Sequence, residues 1–232
     1  MSLVETDWLE KNIGKVKIID CSWHMPHTKR NGYNEYKIQH IPETIFFDLD
    51  LNSKKNTALP HMMIEIQNWE KIVSEMGIKK EDKIVIYDNS DVVSACRCWF
   101  SFIYFGHDPK LVHVLNGGLK KWIMEKRKVT TDLPRTQITN YKCIEKKELI
   151  KDKASIDKNI DNQEFKVIDA RSKERFEGKI PEPRKGLRSG NIKNSFCIPF
   201  NKCLNEDKTF KKKEELQNIF KLRLQNFDEK HI

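Results

Sequence analysis

The feature that most limits the possible folds of this chain is an internal repeat. Three segments of the first half recur in the second half in the same order: VKIID (16–20) as FKVID (165–169), HIPETIFFDL (40–49) as NIKNSFCIPF (191–200), and WEKIVSEMGIKKEDKI (69–84) as LQNIFKLRLQNFDEKHI (216–232). The first pair has the pattern of a short strand, and the last has that of an amphipathic helix followed by a turn and the start of a strand. Ordered self-similarity of this kind predicts two copies of one α/β unit.

The repeat also predicts how the chain is divided into domains. We expect one domain over residues 1–130, a linker over 131–143 and a second domain over 144–232, because the sequence around the linker is polar, contains Pro134 and has no helical period. Strands that alternate with helices predict a mainly parallel sheet with helices on both faces in each domain. Ligands of such sheets bind at the carboxyl ends of the strands.

Charge and composition exclude several classes of function. The net charge is +9, but stretches such as KKEDK and FKKKEEL mix both signs, as solvated helix faces do, so no nucleic-acid role is expected. The longest apolar runs have the length of strands, so we expect no membrane span. The amino terminus lacks the pattern of a secretory signal, which favours the cytoplasm. The six cysteines show neither zinc-ligand spacing nor a disulfide framework, and we expect no metal and no cofactor.

The stretch IVIYDNSDVVSACRCWF, residues 84–100, reads as a buried strand, a polar loop and a helix. Asp88 stands where the strand becomes the loop, which is where a parallel sheet places its ligands. Cys96 and Cys98 are expected about two turns inside the helix. A nucleophilic cysteine needs a partly exposed, electropositive position, so we expect these two thiols to pack rather than to react.

Longer stretches of the chain resemble the tandem rhodanese-type sulfurtransferases, in particular the 3-mercaptopyruvate and thiosulfate sulfurtransferases. The matching motifs follow the order of the family across nearly the whole chain: HIPETIFFDLD, YDNS, FGHDPKLVHVLNGGLKKW, VIDARSKERFEGKIPEPRKGLRSGNI and NEDKTFKKKEEL. The resemblance implies two rhodanese-like domains, of which the first is a non-catalytic copy with Asp88 at the position of the catalytic cysteine. In the repeat, Ile232 corresponds to Ile84. The counterpart of Asp88 is therefore expected four residues after Ile232, and the second domain is expected to be incomplete, without its active-site loop.

The resemblance also implies a reaction and its participants. A cysteine thiolate takes the outer sulfur of a small anionic donor and forms a persulfide, which passes the sulfur to cyanide or to a thiol acceptor such as thioredoxin or a low-molecular-weight thiol. Arg175 and Arg184 match the family's pair of arginines that binds the carboxylate and ketone of 3-mercaptopyruvate. An arginine suits this task because its planar fork donates two parallel hydrogen bonds to a carboxylate. Both arginines favour 3-mercaptopyruvate, with thiosulfate as the second donor.

Asp50 and His61 match a family pair that faces the cleft between the two domains and works with a serine of the active loop. An aspartate that accepts a hydrogen bond from one imidazole nitrogen fixes the tautomer and leaves the other nitrogen for proton transfer. The rival interpretation is a catalytically inactive rhodanese-like module that uses Arg175 and Arg184 to bind an anion or an acidic partner segment. A phosphatase on the same fold would need a cysteine–arginine loop, which neither copy shows.

Overall fold

The apolar runs of the first half form a parallel sheet, because their β-branched residues favour extended backbone and are buried on both faces. The computed structural model describes residues 2–184 and 186–224. The sheet has five strands in the order β1-β5-β4-β2-β3, and all neighbours pair in parallel. The strands are β1 (Leu3–Val4), β2 (Lys17–Asp20), β3 (Thr44–Phe46), β4 (Ile84–Tyr87) and β5 (Val112–Leu115).

Helices cover both faces of this sheet, as the alternation in the sequence predicts. Successive residues of a strand point to opposite faces, so Ile18 and Ile19 of β2 belong to two different apolar clusters, and both are fully buried. The cluster around Ile19 packs against Trp69 and Phe102, and the cluster around Ile18 packs against Leu9 and Trp122. The helices are α1 (Thr6–Asn12), α2 (Gly32–Ile38), α3 (Ile66–Glu75), α4 (Ala95–Tyr104) and α5 (Gly118–Met124).

The second half contains a two-stranded parallel sheet and three α-helices within the described residues. The side chain of Asn159 accepts from the backbone N–H of Phe165 and donates to its carbonyl, which fixes the turn between the first of these helices and the first strand. The elements are α6 (Lys153–Asn162), β6 (Ile168–Asp169), α7 (Lys173–Phe176), β7 (Phe196–Cys197) and α8 (Lys213–Arg223).

The strand pairing is similar at corresponding positions of the predicted repeat. In the first half, Asp20 pairs with Phe46, and the residue before β3, Glu43, has a φ of 64°. In the second half, Asp169 pairs with Cys197, and Asn194 at the corresponding position also has a φ of 64°. The two halves therefore share one strand–turn–strand geometry. The strand start predicted at Ile232 lies outside the described residues.

The chain divides into two compact units, residues 1–149 and 150–232. The segment predicted as a linker, 131–143, has no helix or strand and packs on the first unit. Tyr141 is buried there, its backbone N–H donates to the hydroxyl of Ser74, and the hydroxyl of Thr139 donates to the carbonyl of Ile78. The domain bounds taken from the sequence remain predictions, and the observed division falls after Leu149.

Gly118 is a glycine whose replacement should disturb the loop that holds Asp88. Its φ is +57°, and an added Cβ would lie 2.4 Å from the carbonyl oxygen of Asp88. That carbonyl also accepts from the backbone N–H of Leu119 at 2.9 Å. We expect Gly118→Ala to lower the free energy of unfolding by about 2 kcal/mol, because backbone strain and a clash with rigid backbone add together. Urea denaturation measures the change.

Gly14→Ala is the matched control for that experiment. Gly14 also has a positive φ, of +81°, but an added Cβ would meet no atom within 4 Å. The strain of the left-handed backbone alone costs about 1 kcal/mol. Equal losses of stability in the two variants would show that the contact with Asp88 contributes nothing.

Candidate active site

Asp88 directly follows β4, at the junction of strand and loop where the sequence placed it. Its carboxylate accepts two backbone hydrogen bonds, at 2.9 Å from Ser90 and at 2.7 Å from Ala95, the first residue of α4. The Asp88 residue is only 8% exposed. The loop between β4 and α4 thus folds around its own carboxylate, and the N–H groups of Ser90 and Ala95 that an external anion would need are already occupied.

The carboxyl groups at the ends of β2 and β4 influence each other. Burial raises the pKa of Asp88 to about 6, although its two N–H donors act in the opposite direction. Burial likewise raises the pKa of Asp20 to about 7, against the hydrogen bonds from Ser22, and the negative charge of Asp88 raises it further. A second negative charge at this edge of the sheet is therefore unfavourable.

The expected position of Cys96 and Cys98 was wrong, because α4 begins at Ala95 and both cysteines lie in its first turn. The helix starts early because the Asp88 carboxylate accepts the Ala95 N–H. A helix amino terminus usually lowers the pKa of a thiol. Here burial and the charge of Asp88 raise the pKa of Cys96 to about 12. Cys98 is fully buried in the core. With this corrected position, both thiols are still expected to pack rather than to react.

The other cysteines also lack an activating environment. The pKa of Cys21 is raised well above its usual value by its hydrogen bond with Cys98 and by burial. Burial raises the pKa of Cys143 to about 11, and it also raises the pKa values of Cys197 and Cys203. A reactive thiolate needs a lowered pKa, so none of these four thiols has the setting of a nucleophile.

The structure brings Asp50 and His61 together. The Nε2 atom of His61 lies 2.7 Å from Oδ1 of Asp50, and the indole Nε1 of Trp23 donates to Oδ2 of the same carboxylate at 3.0 Å. The Trp23 ring also meets the His61 ring edge to face, with centroids 4.9 Å apart. Because Asp50 engages Nε2, the Nδ1 atom is the nitrogen left for proton exchange.

The backbone of His61 is held in an uncommon conformation. Its φ is +55°, and its carbonyl accepts a hydrogen bond from Nη2 of Arg97, which also contacts the Met63 sulfur at 3.5 Å. Sequence reasoning did not identify Trp23 or Arg97 as part of this site. Trp23 had one signal, since it follows the carboxyl end of β2, where side chains of a parallel sheet converge. Arg97 had no signal, because its contact crosses from a helix to a distant loop.

The arginines of the second unit have different environments. Ser172 caps α7 by accepting from the N–H of Arg175. The Arg175 guanidinium then donates through Nε and Nη2 to the two carboxylate oxygens of Glu182, at 3.2 Å and 2.5 Å. Arg171 donates to the same carboxylate at 2.7 Å. Arg184 is exposed.

Glu182 is the residue that sequence reasoning missed in this group. Its side chain is 6% exposed and is bound by both Arg171 and Arg175. The hydrogen bond from Arg175 lowers the pKa of Glu182, so the carboxylate is charged and holds the fork in place. An anion that binds Arg175 must share its guanidinium with Glu182, or take its place.

Within residues 2–184 and 186–224, no cluster of three or more His, Cys, Asp or Glu side chains has the arrangement of a metal site. In the same part of the chain, no helix combines the length and the apolar composition that a membrane crossing requires. The expected cytoplasmic location remains a prediction.

Comparison with known proteins identifies the family. A model of the rhodanese-like domain matches residues 5–125. The chain is 36% identical over 241 residues to the Arabidopsis thaliana thiosulfate/3-mercaptopyruvate sulfurtransferase 1, mitochondrial, covering 94% of this chain and 63% of that protein. It is 35% identical to the thiosulfate sulfurtransferase of Rattus norvegicus, covering 94% of this chain and 76% of the relative.

A solved structure gives the same result. The crystal structure of SseA from Escherichia coli, described as a 3-mercaptopyruvate sulfotransferase with the rhodanese fold, superposes with a TM-score of 0.84 at 27% identity. The match covers 96% of this chain and 84% of SseA. By sequence and by fold, this chain belongs to the rhodanese family of thiosulfate and 3-mercaptopyruvate sulfurtransferases.

Proposed function

We propose that this protein takes part in sulfur transfer from a small anionic donor, with 3-mercaptopyruvate preferred and thiosulfate second, through a cysteine persulfide to a thiol or cyanide. The observation that carries the proposal is the Asp50–His61 pair at 2.7 Å, supported by the indole of Trp23. An imidazole oriented by a carboxylate and an aromatic side chain is suited to proton transfer in a chain of this family.

The proposed reaction has two steps. A cysteine thiolate attacks the sulfur of 3-mercaptopyruvate, a sulfur–sulfur bond forms, and the carbon–sulfur bond breaks. The electron pair of that bond remains on carbon, and protonation of the resulting enolate gives pyruvate. The persulfide sulfur then passes to the acceptor: cyanide becomes thiocyanate, or a thiol of thioredoxin or of a small molecule becomes a persulfide, and the cysteine is regenerated.

Each candidate residue has a role in this proposal. Arg175 and Arg184 bind the donor carboxylate and ketone, because guanidinium groups donate paired hydrogen bonds to such oxygens. His61 exchanges the proton through Nδ1, and Asp50 fixes its tautomer. Asp88 marks the copy that does not react. The nucleophile is the cysteine that the resemblance implies at the second-copy counterpart of Asp88.

The test uses the protein expressed from its complete coding sequence. After incubation with 3-mercaptopyruvate, we expect the intact mass to increase by one sulfur atom and pyruvate to be released in equal amount. Addition of cyanide should reverse the mass change and release thiocyanate, and thiosulfate should load the protein more slowly. Failure of both donors to load sulfur would refute the proposal.

The second candidate is a binding module without catalysis. It is favoured by the cysteines of the chain, since burial contributes to raised pKa values in five of them: Cys21, Cys96, Cys143, Cys197 and Cys203. Calorimetry with pyruvate as the probe separates the two candidates. Binding of pyruvate that depends on Arg175, without sulfur loading from either donor, would support the module.

Arg175→Gln tests the proposed donor site. We expect KM for 3-mercaptopyruvate to rise about tenfold with little change in kcat, because the lost contact is made equally in the ground state and the transition state. Glu182 keeps its bond to Arg171, so the buried carboxylate stays paired in the variant. Initial rates of pyruvate release measure both constants.

Lys179→Gln provides the matched control, since Lys179 pairs with the neighbouring Glu177 and carries the same charge as Arg175. Its KM should stay within about twofold of the parent value, as expected for a surface ion pair. Equal increases in KM for the two variants would assign the effect to net charge rather than to a donor contact.

A further inference from the structure

A cleft lies at the edge of the five-stranded sheet where β2 and β4 begin. Asp88 follows the opposite end of β4. The volume of the cleft is about 810 Å³. The walls come from residues 14–17, Gly77, 79–83 and 134–140, all in the first unit, with Glu43 and Ile45 beside them. Nothing in the proposed sulfur transfer uses this cleft.

The cleft is strongly cationic. Six cationic side chains line it against three acidic ones, Glu43, Glu81 and Asp82. The carboxylate of Asp82 is partly engaged, because it accepts from the backbone N–H of Lys79 at 2.8 Å. The cations come from all three wall segments: Lys15, Lys17, Lys79, Lys80, Lys83 and Arg135.

The partners of these cations differ from those of three other cations of the first unit. Lys120, Lys121 and Arg127 form ion pairs with carboxylates. Within residues 2–184 and 186–224, no ion pair is formed by any of the six cleft cations. Two of the cations rest on aromatic rings instead, Lys80 over Tyr141 at 5.0 Å and Lys83 over Trp8 at 5.3 Å. A ring face positions an ammonium without cancelling its charge.

Burial lowers the pKa of Lys80, so an anion bound beside it would stabilise its charged form. Several like charges that converge on one cleft create a potential that concentrates anions there. An anion in the cleft would supply the counter-charge that the described fold does not provide.

We propose that this cleft is a binding site for a small anion that carries several phosphate groups. Lysine is a point-charge phosphate binder, and five of the six cations are lysines. The cleft volume lies in the range of sites for small molecules. No aromatic side chain lines the cleft within the described residues, so it offers no platform on which a nucleotide base would stack.

Inorganic tripolyphosphate is the probe, and isothermal calorimetry on the same protein as in the sulfur-loading test measures its binding. We expect binding at low ionic strength, weakened by added salt, and at least about tenfold weaker binding of orthophosphate, since it offers fewer charges to the same cations. A glutamate-rich peptide is the comparison ligand, and we expect it to bind more weakly than tripolyphosphate.

The variant Lys15→Gln/Lys79→Gln/Arg135→Gln removes one exposed cation from each wall. It should bind tripolyphosphate about tenfold more weakly or worse. The matched control, Lys11→Gln/Lys110→Gln/Lys128→Gln, removes the same charge from exposed positions outside the cleft and should stay within about twofold. Equal losses in both variants, absence of binding at low salt, or tighter binding of the peptide would each overturn the proposal.

A second measurement on the unmodified protein does not depend on the folding of variants. Amine-reactive labelling followed by mass spectrometry reports the exposure of each lysine. Tripolyphosphate should protect Lys79 and Lys80 from labelling and leave Lys11 and Lys110 unchanged. Uniform protection of all four lysines would indicate diffuse attraction to a basic protein and would contradict a defined site.

Discussion

Replacement of His61 by asparagine is expected to lower kcat for pyruvate release from 3-mercaptopyruvate by about a hundredfold or more, the usual contribution of a positioned general acid or base. Asparagine keeps a group that can hydrogen-bond to Asp50, and it tolerates the φ of +55° better than most residues. The fold should therefore survive while proton exchange at Nδ1 is lost. Steady-state kinetics of the protein from its complete coding sequence measure the change.

Two further variants make this result interpretable. Asp50→Asn should lower kcat by about tenfold, because the imidazole remains but its tautomer is no longer fixed. His27→Asn removes an exposed histidine from the short 3₁₀ helix Pro26–Thr28, outside the site, and should leave the rate unchanged. Similar rates for the His61 and His27 variants would refute a catalytic role for His61.

The sequence was sufficient to predict the framework of the first unit. The run at 84–87 is apolar throughout, so it had to be a strand buried on both faces, and the polar residues after it had to form the loop with Asp88. The pairing of β2 with β3 and of β6 with β7 follows the repeat at corresponding positions. Local pattern and self-similarity carry this much information.

Contacts between residues that are distant in the sequence could not be predicted from local pattern or from the repeat. The start of α4 was misplaced because the group that accepts the Ala95 N–H is the side chain of Asp88, seven residues earlier. Glu182 was missed because a glutamate in a loop has the same local pattern whether it is exposed or bound by two arginines. Trp23 and Arg97 support Asp50 and His61 only through tertiary contacts.

The buried carboxyl of Asp88 should make the stability of the protein depend on pH. Its pKa is about 6 in the folded chain, against an ordinary value of 3.8. Between these two values the folded state binds more protons than the unfolded state, so stability falls as pH rises. The contribution of the protonated group is fully present below about pH 4, and it is lost once the pH exceeds about 6.

Asp88→Asn removes this titration and should show how much it contributes to the pH dependence of stability. The free energy of unfolding of the parent, minus that of the variant, should fall by about 3 kcal/mol between about pH 4 and about pH 7. The loss of stability that Asp20 causes as the pH rises should also be smaller in the variant, since the Asp88 charge is one cause of the raised pKa of Asp20. Urea denaturation at a series of pH values measures both effects.

Asp132→Asn, which removes an exposed carboxylate instead, is the matched control. The Asp88 and Asp132 carboxyls differ chiefly in burial and in the two N–H groups that donate to Asp88. If the free energy of unfolding depends on pH equally in the two variants, the buried carboxyl of Asp88 is not the source of that dependence.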